Sequence, residues 1–252
     1  MSFIVNIASG EKELAEIYRL RYKVYCLEWG YEKPENHSEI ITDAYDNDAL
    51  HFTARDPAQK VVGAVRLLFD PHEGFPIERY CELDFNREAL PRDKTAEISR
   101  LVIHRDYRRR TEDKYIYGPD EERRSIGSFN PQYQSTNSNY YARRFEDKYR
   151  YKQNPSRTNM SQSERRNRHE LIISLYKAVY QESKRRQLSH WYAIMTKGIV
   201  LLLEKFGLEF EAIGDPVDYY GIRTPYLAEI TKIEQRMSEM DPELYKEFTD
   251  GL

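Results

Sequence analysis

Cysteine is almost missing from this 252-residue chain: only Cys26 and Cys81 occur. Two isolated cysteines give neither a disulfide framework nor the paired spacing of a zinc site, which suits a reducing compartment. Long apolar runs are missing too. No stretch approaches the roughly 20 residues of a membrane-spanning helix. The first residues, from Met1 to Asn6, lack the basic stretch followed by an apolar one that marks a secretion signal. A cytoplasmic location without a transmembrane segment is therefore expected. Neither sign of charge is in large excess, since the formal net charge is −3. Its distribution is uneven, however. Between residues 108 and 168, 15 Lys and Arg stand against 8 Asp and Glu, which makes this segment +7 and leaves −10 for the rest.

Hydrophobic residues make up 40% of the chain, enough for one sizeable core, so a single domain over 1–252 is expected. Residues 111–165 stand apart. Tyr, Asn, Ser, Gln, Arg and Glu dominate there and aliphatics are few, so this stretch reads as a long polar, basic insertion. Before it, Ser9 is placed to cap a helix from Glu11, whose apolar positions include Leu14, Ile17, Leu20 and Val24. Runs at 50–54 and 61–69 read as two strands joined by a turn at Asp56-Pro57. After the insertion come a helix at 171–186, a strand at 190–195 and a short helix at 198–206. Strands at 208–213 and 226–231 follow, and a polar helix runs to the end. This order predicts an α/β protein with a mixed, mostly antiparallel sheet flanked by helices.

The chemistry concentrates in residues 97–110. Ile98, Leu101, Val102 and Ile103 make a core strand, yet Glu97, Ser99 and Arg100 share it. Charges are seldom buried without a partner, so this stretch holds either a structural ion pair or an active site. Arg108, Arg109 and Arg110 then form a basic patch beyond the strand's end. Arg66 interrupts the apolar run at 61–69 in the same way. Asp43, Asp46 and Asp48 lie close together, and by spacing alone read as a solvated acidic turn. A calcium loop is a poor alternative, because its glycine and late glutamate are missing. No metal site is expected. His51 reads as a half-buried strand histidine. Cys26 has no basic partner adjacent in sequence, which argues against a covalent nucleophile.

Five motifs in order, Arg21-x-x-Val-Tyr25, Trp29, Asp43-x-Tyr-Asp46, Gly63-x-Val-Arg66-Leu-Leu and Glu97-x-Ser-Arg100, resemble those of the acyl-homoserine-lactone synthases. They also resemble the related N-acyl amino acid synthases, and most closely the acyltransferases that accompany exosortase (PEP-CTERM) sorting systems. The resemblance covers roughly residues 15–105 and implies a GNAT acyltransferase fold. It implies an N-acyltransferase moving a fatty acyl group from an acyl carrier protein thioester to an amino acid or similar small amine. It further implies that Arg21, Asp43, Asp46, Arg66 and Arg100 form an ionic cluster with Glu97 that orients the amine and its carboxylate. The expected catalytic residues are Glu97, Asp43, Asp46, Arg66 and Arg100, and the expected substrate contacts are Arg21, Trp29, Ser99 and Val102. Ile41 stands where the lactone synthases usually carry an acidic residue, which argues against a lactone-forming substrate. No permanently bound cofactor is expected, only an acyl-phosphopantetheine donor. Coenzyme A-using members of the fold place a glycine-rich turn after the central strand, and residues 108–113 contain no glycine. An acyl carrier protein is therefore the expected donor partner, docked on Arg108, Arg109, Arg110, Arg143 and Arg144, with acyl-coenzyme A as the alternative. A nucleic-acid contact through the Arg/Tyr-rich insertion is the competing non-enzymatic reading. Its acidic residues and lack of a known motif weigh against it.

Overall fold

A computed structural model of the chain describes residues 3–31, 39–107 and 169–252. The insertion at 111–165 and the basic residues Arg108, Arg109, Arg110, Arg143 and Arg144 lie outside the described residues. The strands are β1 (Ile4–Ile7), β2 (Ala49–Arg55), β3 (Val61–Phe69), β4 (Thr95–Ile103), β5 (His190–Met195), β6 (Glu211–Ala212), β7 (Val217–Asp218) and β8 (Ile222–Glu229). The α-helices are α1 (Gly10–Arg21), α2 (Pro76–Tyr80), α3 (Glu170–Arg185), α4 (Lys197–Glu204), α5 (Ile230–Met240) and α6 (Pro242–Thr249). One sheet runs in the order β1–β2–β3–β4–β5–β8–β6, with β7 paired to β8. Among the described residues, only β4 and β5 pair in parallel.

Helices cover both faces of this sheet. The apolar stripe of α3, including Leu175, Tyr176 and Val179, packs with Val65, Leu67, Ile98 and Trp191 in the largest core cluster. On the opposite face α1 places Ile17, Leu20 and Val24 against Ala64 and Val102. Around α2 a third cluster joins Leu68, Phe75, Ile77 and Tyr192. Side chains alternate along a strand. Val65 and Leu67 therefore enter the large core, while Arg66 and Leu68 turn to the other face. Because that face is covered too, Arg66 and Glu97 are both buried.

Two irregularities prepare the site. In the β3–β4 ladder Ala64 pairs with Val102 and Arg66 with Ser99, so Arg100 and Leu101 together oppose Val65. Such a bulge re-aims side chains, and Arg100 sits in the left-handed region at φ 54°. In the β4–β5 ladder pairing ends at Ile98↔Ala193, although β4 runs on to Ile103 and β5 to Met195. The two strands part beyond that point and open a cleft between them.

The helix expected from Glu11 continues past α1 as a π-helical turn, Tyr22–Glu28. The Trp29 N–H donates to the Val24 carbonyl at 3.1 Å, the five-residue bond of a π-turn. Ser9 does not cap with its side chain. Instead its N–H donates to Glu13 Oε2 at 2.7 Å. The strand expected at 208–213 shrinks to two residues, because Leu208 and Phe210 pack into the core as irregular chain. The strand β8 begins four residues before the expected 226–231 and yields to α5 at Ile230. The single polar helix is two, divided at Asp241, whose side chain caps α6 by accepting the Leu244 N–H.

A close backbone approach holds the loop after α2. The Asp84 N–H donates to the Ile213 carbonyl at 2.8 Å, and a Cβ at Gly214 would collide with the Glu82 carbonyl oxygen. This loop brings Phe85 onto Tyr192, 6.2 Å between ring centres. Gly214→Ala is expected to lower stability by about 1–3 kcal/mol, the usual cost of overpacking. Urea unfolding reads the effect, and an unchanged midpoint would show that the loop moves aside without cost.

Candidate active site

A reciprocal cap sets the first carboxylates. Asp43 precedes the 3-10 turn Ala44–Asp48 and its Oδ1 accepts the Tyr45 N–H at 3.0 Å. Asp46 Oδ2 accepts the Asp43 N–H at 2.9 Å. Both side chains are thereby fixed, and three guanidinium groups meet them. Arg21, at the end of α1 and only 1% exposed, places Nη1 2.8 Å from Asp46 Oδ1 and 2.9 Å from Oδ2. Arg66 Nη1 lies 2.6 Å from Asp43 Oδ1 and 2.9 Å from Asp46 Oδ1, and its Nε donates to Ser99 Oγ at 3.0 Å. From the β4 bulge Arg100 donates to Asp43 Oδ2 through Nε at 3.1 Å and Nη2 at 2.7 Å.

Burial alone would push both aspartates up, but the arginine charges win. Arg66 and Arg100 hold Asp43 below the ordinary carboxylate range, and Arg21 and Arg66 do the same for Asp46. Asp43 and Asp46, which spacing alone reads as solvated, are thus the anionic half of an ion cluster, as the resemblance implies, while Asp48 of the same turn is exposed. His51 belongs to it as well, and is fully rather than half buried. Its Nδ1 is 3.1 Å from Arg21 Nη2 and its Nε2 is 3.2 Å from the Asp46 carbonyl. A neutral ring that accepts at Nδ1 and donates at Nε2 satisfies both partners. Burial and the Arg21 charge accordingly lower its pKa.

Glu97 stands apart from this cluster. It is 1% exposed, and its Oε2 accepts the Ile77 N–H at 2.9 Å. In the sheet it lies between Leu68 and Tyr192. Burial pushes its pKa up to about 7, outweighing the Ile77 hydrogen bond and the Arg66 charge. A carboxyl poised near neutrality can take a proton from an amine, or return one, at ordinary pH.

Two adjoining spaces open where β4 and β5 part. One, of about 560 Å³, is walled by Tyr25, Trp29, Leu101, Tyr176 and Ile199. The other, of about 500 Å³, is lined by Glu97, Arg66, Tyr219, Tyr220 and Arg223. Ser99 and Arg100 line both. Of the residues singled out in the sequence, Trp29, Ser99, Arg66, Arg100 and Glu97 line the cleft. Val102 and Arg21 do not line it. Val102 is buried under α1, and Arg21 supports Asp46 from behind. Sequence reasoning missed Tyr219, Tyr220 and Arg223. The signal available was the charged, aromatic run Tyr219-Tyr220-Gly221-Ile222-Arg223 ahead of an apolar strand.

Residues 20–117 match the family model described as an acetyltransferase (GNAT) domain. The fold is GNAT-like. A CoA-dependent acyl-homoserine lactone synthase, BjaI, solved with SAM and isopentyl-CoA, superposes with a TM-score of 0.61 at 16% identity, covering 96% of this chain and 90% of that one. TofI, solved in a ternary complex with an inhibitor and MTA, gives 0.57 at 14% identity over 97% of this chain and 100% of that one. FeeM, an N-acyl amino acid synthase from uncultured soil microbes, gives 0.53 at 10% identity over 95% and 97%. A search of curated proteins gives no match. Among the described residues no helix is long and apolar enough to cross a membrane, and no group of three or more His, Cys, Asp or Glu could hold a metal ion.

Proposed function

We propose that this protein transfers an acyl group from a phosphopantetheine thioester to the amine of an amino acid or similar small molecule. The observation that carries this reading is the cleft between β4 and β5, with buried Glu97 beside it. Among the described residues, the β4 edge beyond Ile98 has no strand partner on the β5 side. An extended, amide-rich pantetheine arm suits such an edge. Backbone N–H groups there can stabilise the oxyanion of a tetrahedral intermediate. The acceptor must lose a proton to become nucleophilic, and Glu97, directly or through a water, takes it. Nitrogen then bonds to the thioester carbon, the carbon–sulfur bond breaks, and the departing thiolate collects a proton. The ion cluster holds the bulged strand in place. The GNAT likeness of residues 20–117 supports acyl transfer as the reaction type.

Acyl carrier protein is the donor carrier we favour, through Arg108, Arg109 and Arg110 with Arg143 and Arg144. The support is the +7 charge of residues 108–168 and the missing glycine turn. BjaI, a CoA-dependent protein of similar fold, keeps acyl-coenzyme A as the second reading. Incubating the purified protein with either thioester and a panel of amino acids tests the function, with N-acyl product read by mass spectrometry and free thiol by colorimetry. No product from any combination would refute it.

Charge reversal at Arg108–Arg110 is expected to raise KM for the carrier-bound donor about 10-fold or more and to flatten its salt dependence, because steering is an electrostatic rate effect. Turnover of a short pantetheine thioester should change little. Equal losses with both donors would place these arginines in the fold or the site rather than at a docking surface.

A further inference from the structure

The ion cluster was expected to hold the acceptor's carboxylate, but its hydrogen-bonding capacity is largely committed. Arg21 spends Nη1 on Asp46 and Nη2 on His51. Arg66 spends Nε on Ser99 and Nη1 on both aspartates. Arg100 turns Nε and Nη2 to Asp43. Arg223 is different. It stands near the start of β8, opposite Val217, two residues before Pro225 and four before Leu227. Leu227 pairs with Tyr192, which pairs with Glu97. The two-residue alternation of strands therefore puts Arg223 and Glu97 on the same face of the sheet, and both line the same cleft.

The partner the structure gives the Arg223 guanidinium is the Tyr220 carbonyl, 3.4 Å from Nε and 3.3 Å from Nη2. These are long contacts for a group with five donors. Among the described residues, no carboxylate lies within ion-pair distance of it. Its position is nonetheless held, for the guanidinium carbon lies 5.8 Å from the centre of the Tyr31 ring. A held, half-buried guanidinium that faces a cleft without an acid of its own is a ready anion receptor. Charge balance agrees. Three arginines on two aspartates leave the cluster at +1, and Arg223 adds another positive charge. An ionised Glu97 removes only one.

We infer that Arg223 binds the carboxylate of the acceptor, so that the cleft selects amines carrying an anionic group. This specificity role rests on the acyl-transfer reading above. The donor's phosphates are the other anionic source, since Arg223 also borders the first space.

The experiment compares matched pairs, amino acids and their C-terminal amides, as acceptors for the wild type, Arg223→Met and Arg223→Lys. Met keeps the apolar stem and removes the charge, and Lys keeps the charge. Arg223→Met is expected to lower the ratio of kcat/KM for amino acid over amide about 10-fold or more, the scale of a charge-assisted hydrogen bond. Lys should restore part of it. A ratio that stays at the wild-type value would overturn the inference. So would a variant whose only change is a higher KM for the acyl donor, which would assign Arg223 to the phosphates. Titration calorimetry with the same pairs separates this idea from the function. Carboxylate-dependent binding that Arg223→Met abolishes supports the inference even if no N-acyl product ever forms, an outcome that sinks only the reaction. Equal binding of acid and amide by the wild type would overturn the Arg223 role.

Discussion

Replacing Glu97 with glutamine is expected to lower turnover about 100-fold or more, the scale of a positioned base, while the fold stays intact. Glutamine keeps the shape and can still accept the Ile77 N–H that Glu97 accepts at 2.9 Å. It cannot take a proton. Because burial pushes the Glu97 pKa to about 7, the wild-type rate should rise with pH and level off above neutrality, and the variant should lose that limb. Stability adds a second, independent readout. The folded pKa lies above the unfolded value of 4.5, so folding is favoured when the group is protonated. That contribution is fully present below 4.5 and is lost as pH rises to about 7. Relative to the variant, the wild type should therefore lose about 3 kcal/mol between those limits and no more beyond them. Chemical denaturation across pH 4–9 measures this. Normal turnover in a folded variant would remove Glu97 from the chemistry, and a pH-independent stability difference would remove the buried, titrating carboxyl.

Asp46→Asn should produce the largest loss of stability, about 3–5 kcal/mol, the cost of stripping one partner from a buried ion network. Asp46 contacts both Arg21 and Arg66, which are 1% and 2% exposed. The neutral amide leaves two buried guanidinium groups facing each other with one carboxylate, Asp43, between three arginines. The pKa of Asp46 lies below its unfolded value of 3.8. The wild-type cluster therefore contributes its full stability above that value and loses it as pH falls through the depressed pKa. The gap between wild type and variant should narrow in strong acid. Thermal unfolding at pH 7 and at pH 3 checks both signs. A melting point shifted by less than a degree at neutrality would mean that the cluster is solvated and contributes little.

Much of the site was legible because its residues break local rules. Glu97, Arg66 and Arg100 are charges inside apolar runs, and no folding requirement explains a charge there unless something answers it. The aspartate turn was less legible. Three acids on a polar loop look the same in sequence whether water or arginine neutralises them, and the arginines come from residues 21, 66 and 100, far along the chain. Arg223 was invisible for a related reason. Its strand was read as starting at Tyr226, because Pro225 and the polar residues before it hid the alternation that β5 imposes on β8 through the register Met195↔Thr224.

The sequence by itself determined the helices and strands that carry dense apolar patterns, their order, and the presence of unpaired-looking charges in core strands. Those properties are local, set by the 3.6- and two-residue periods of side chains along the chain. Tertiary structure alone decided which charges meet. It decided that Glu97 stays apart from the ion cluster and so titrates near neutrality. It also decided that β4 and β5 part beyond Ile98 and open a cleft. Burial and proximity are sums over distant segments, and a carboxyl's proton affinity follows from that sum rather than from its neighbours in sequence.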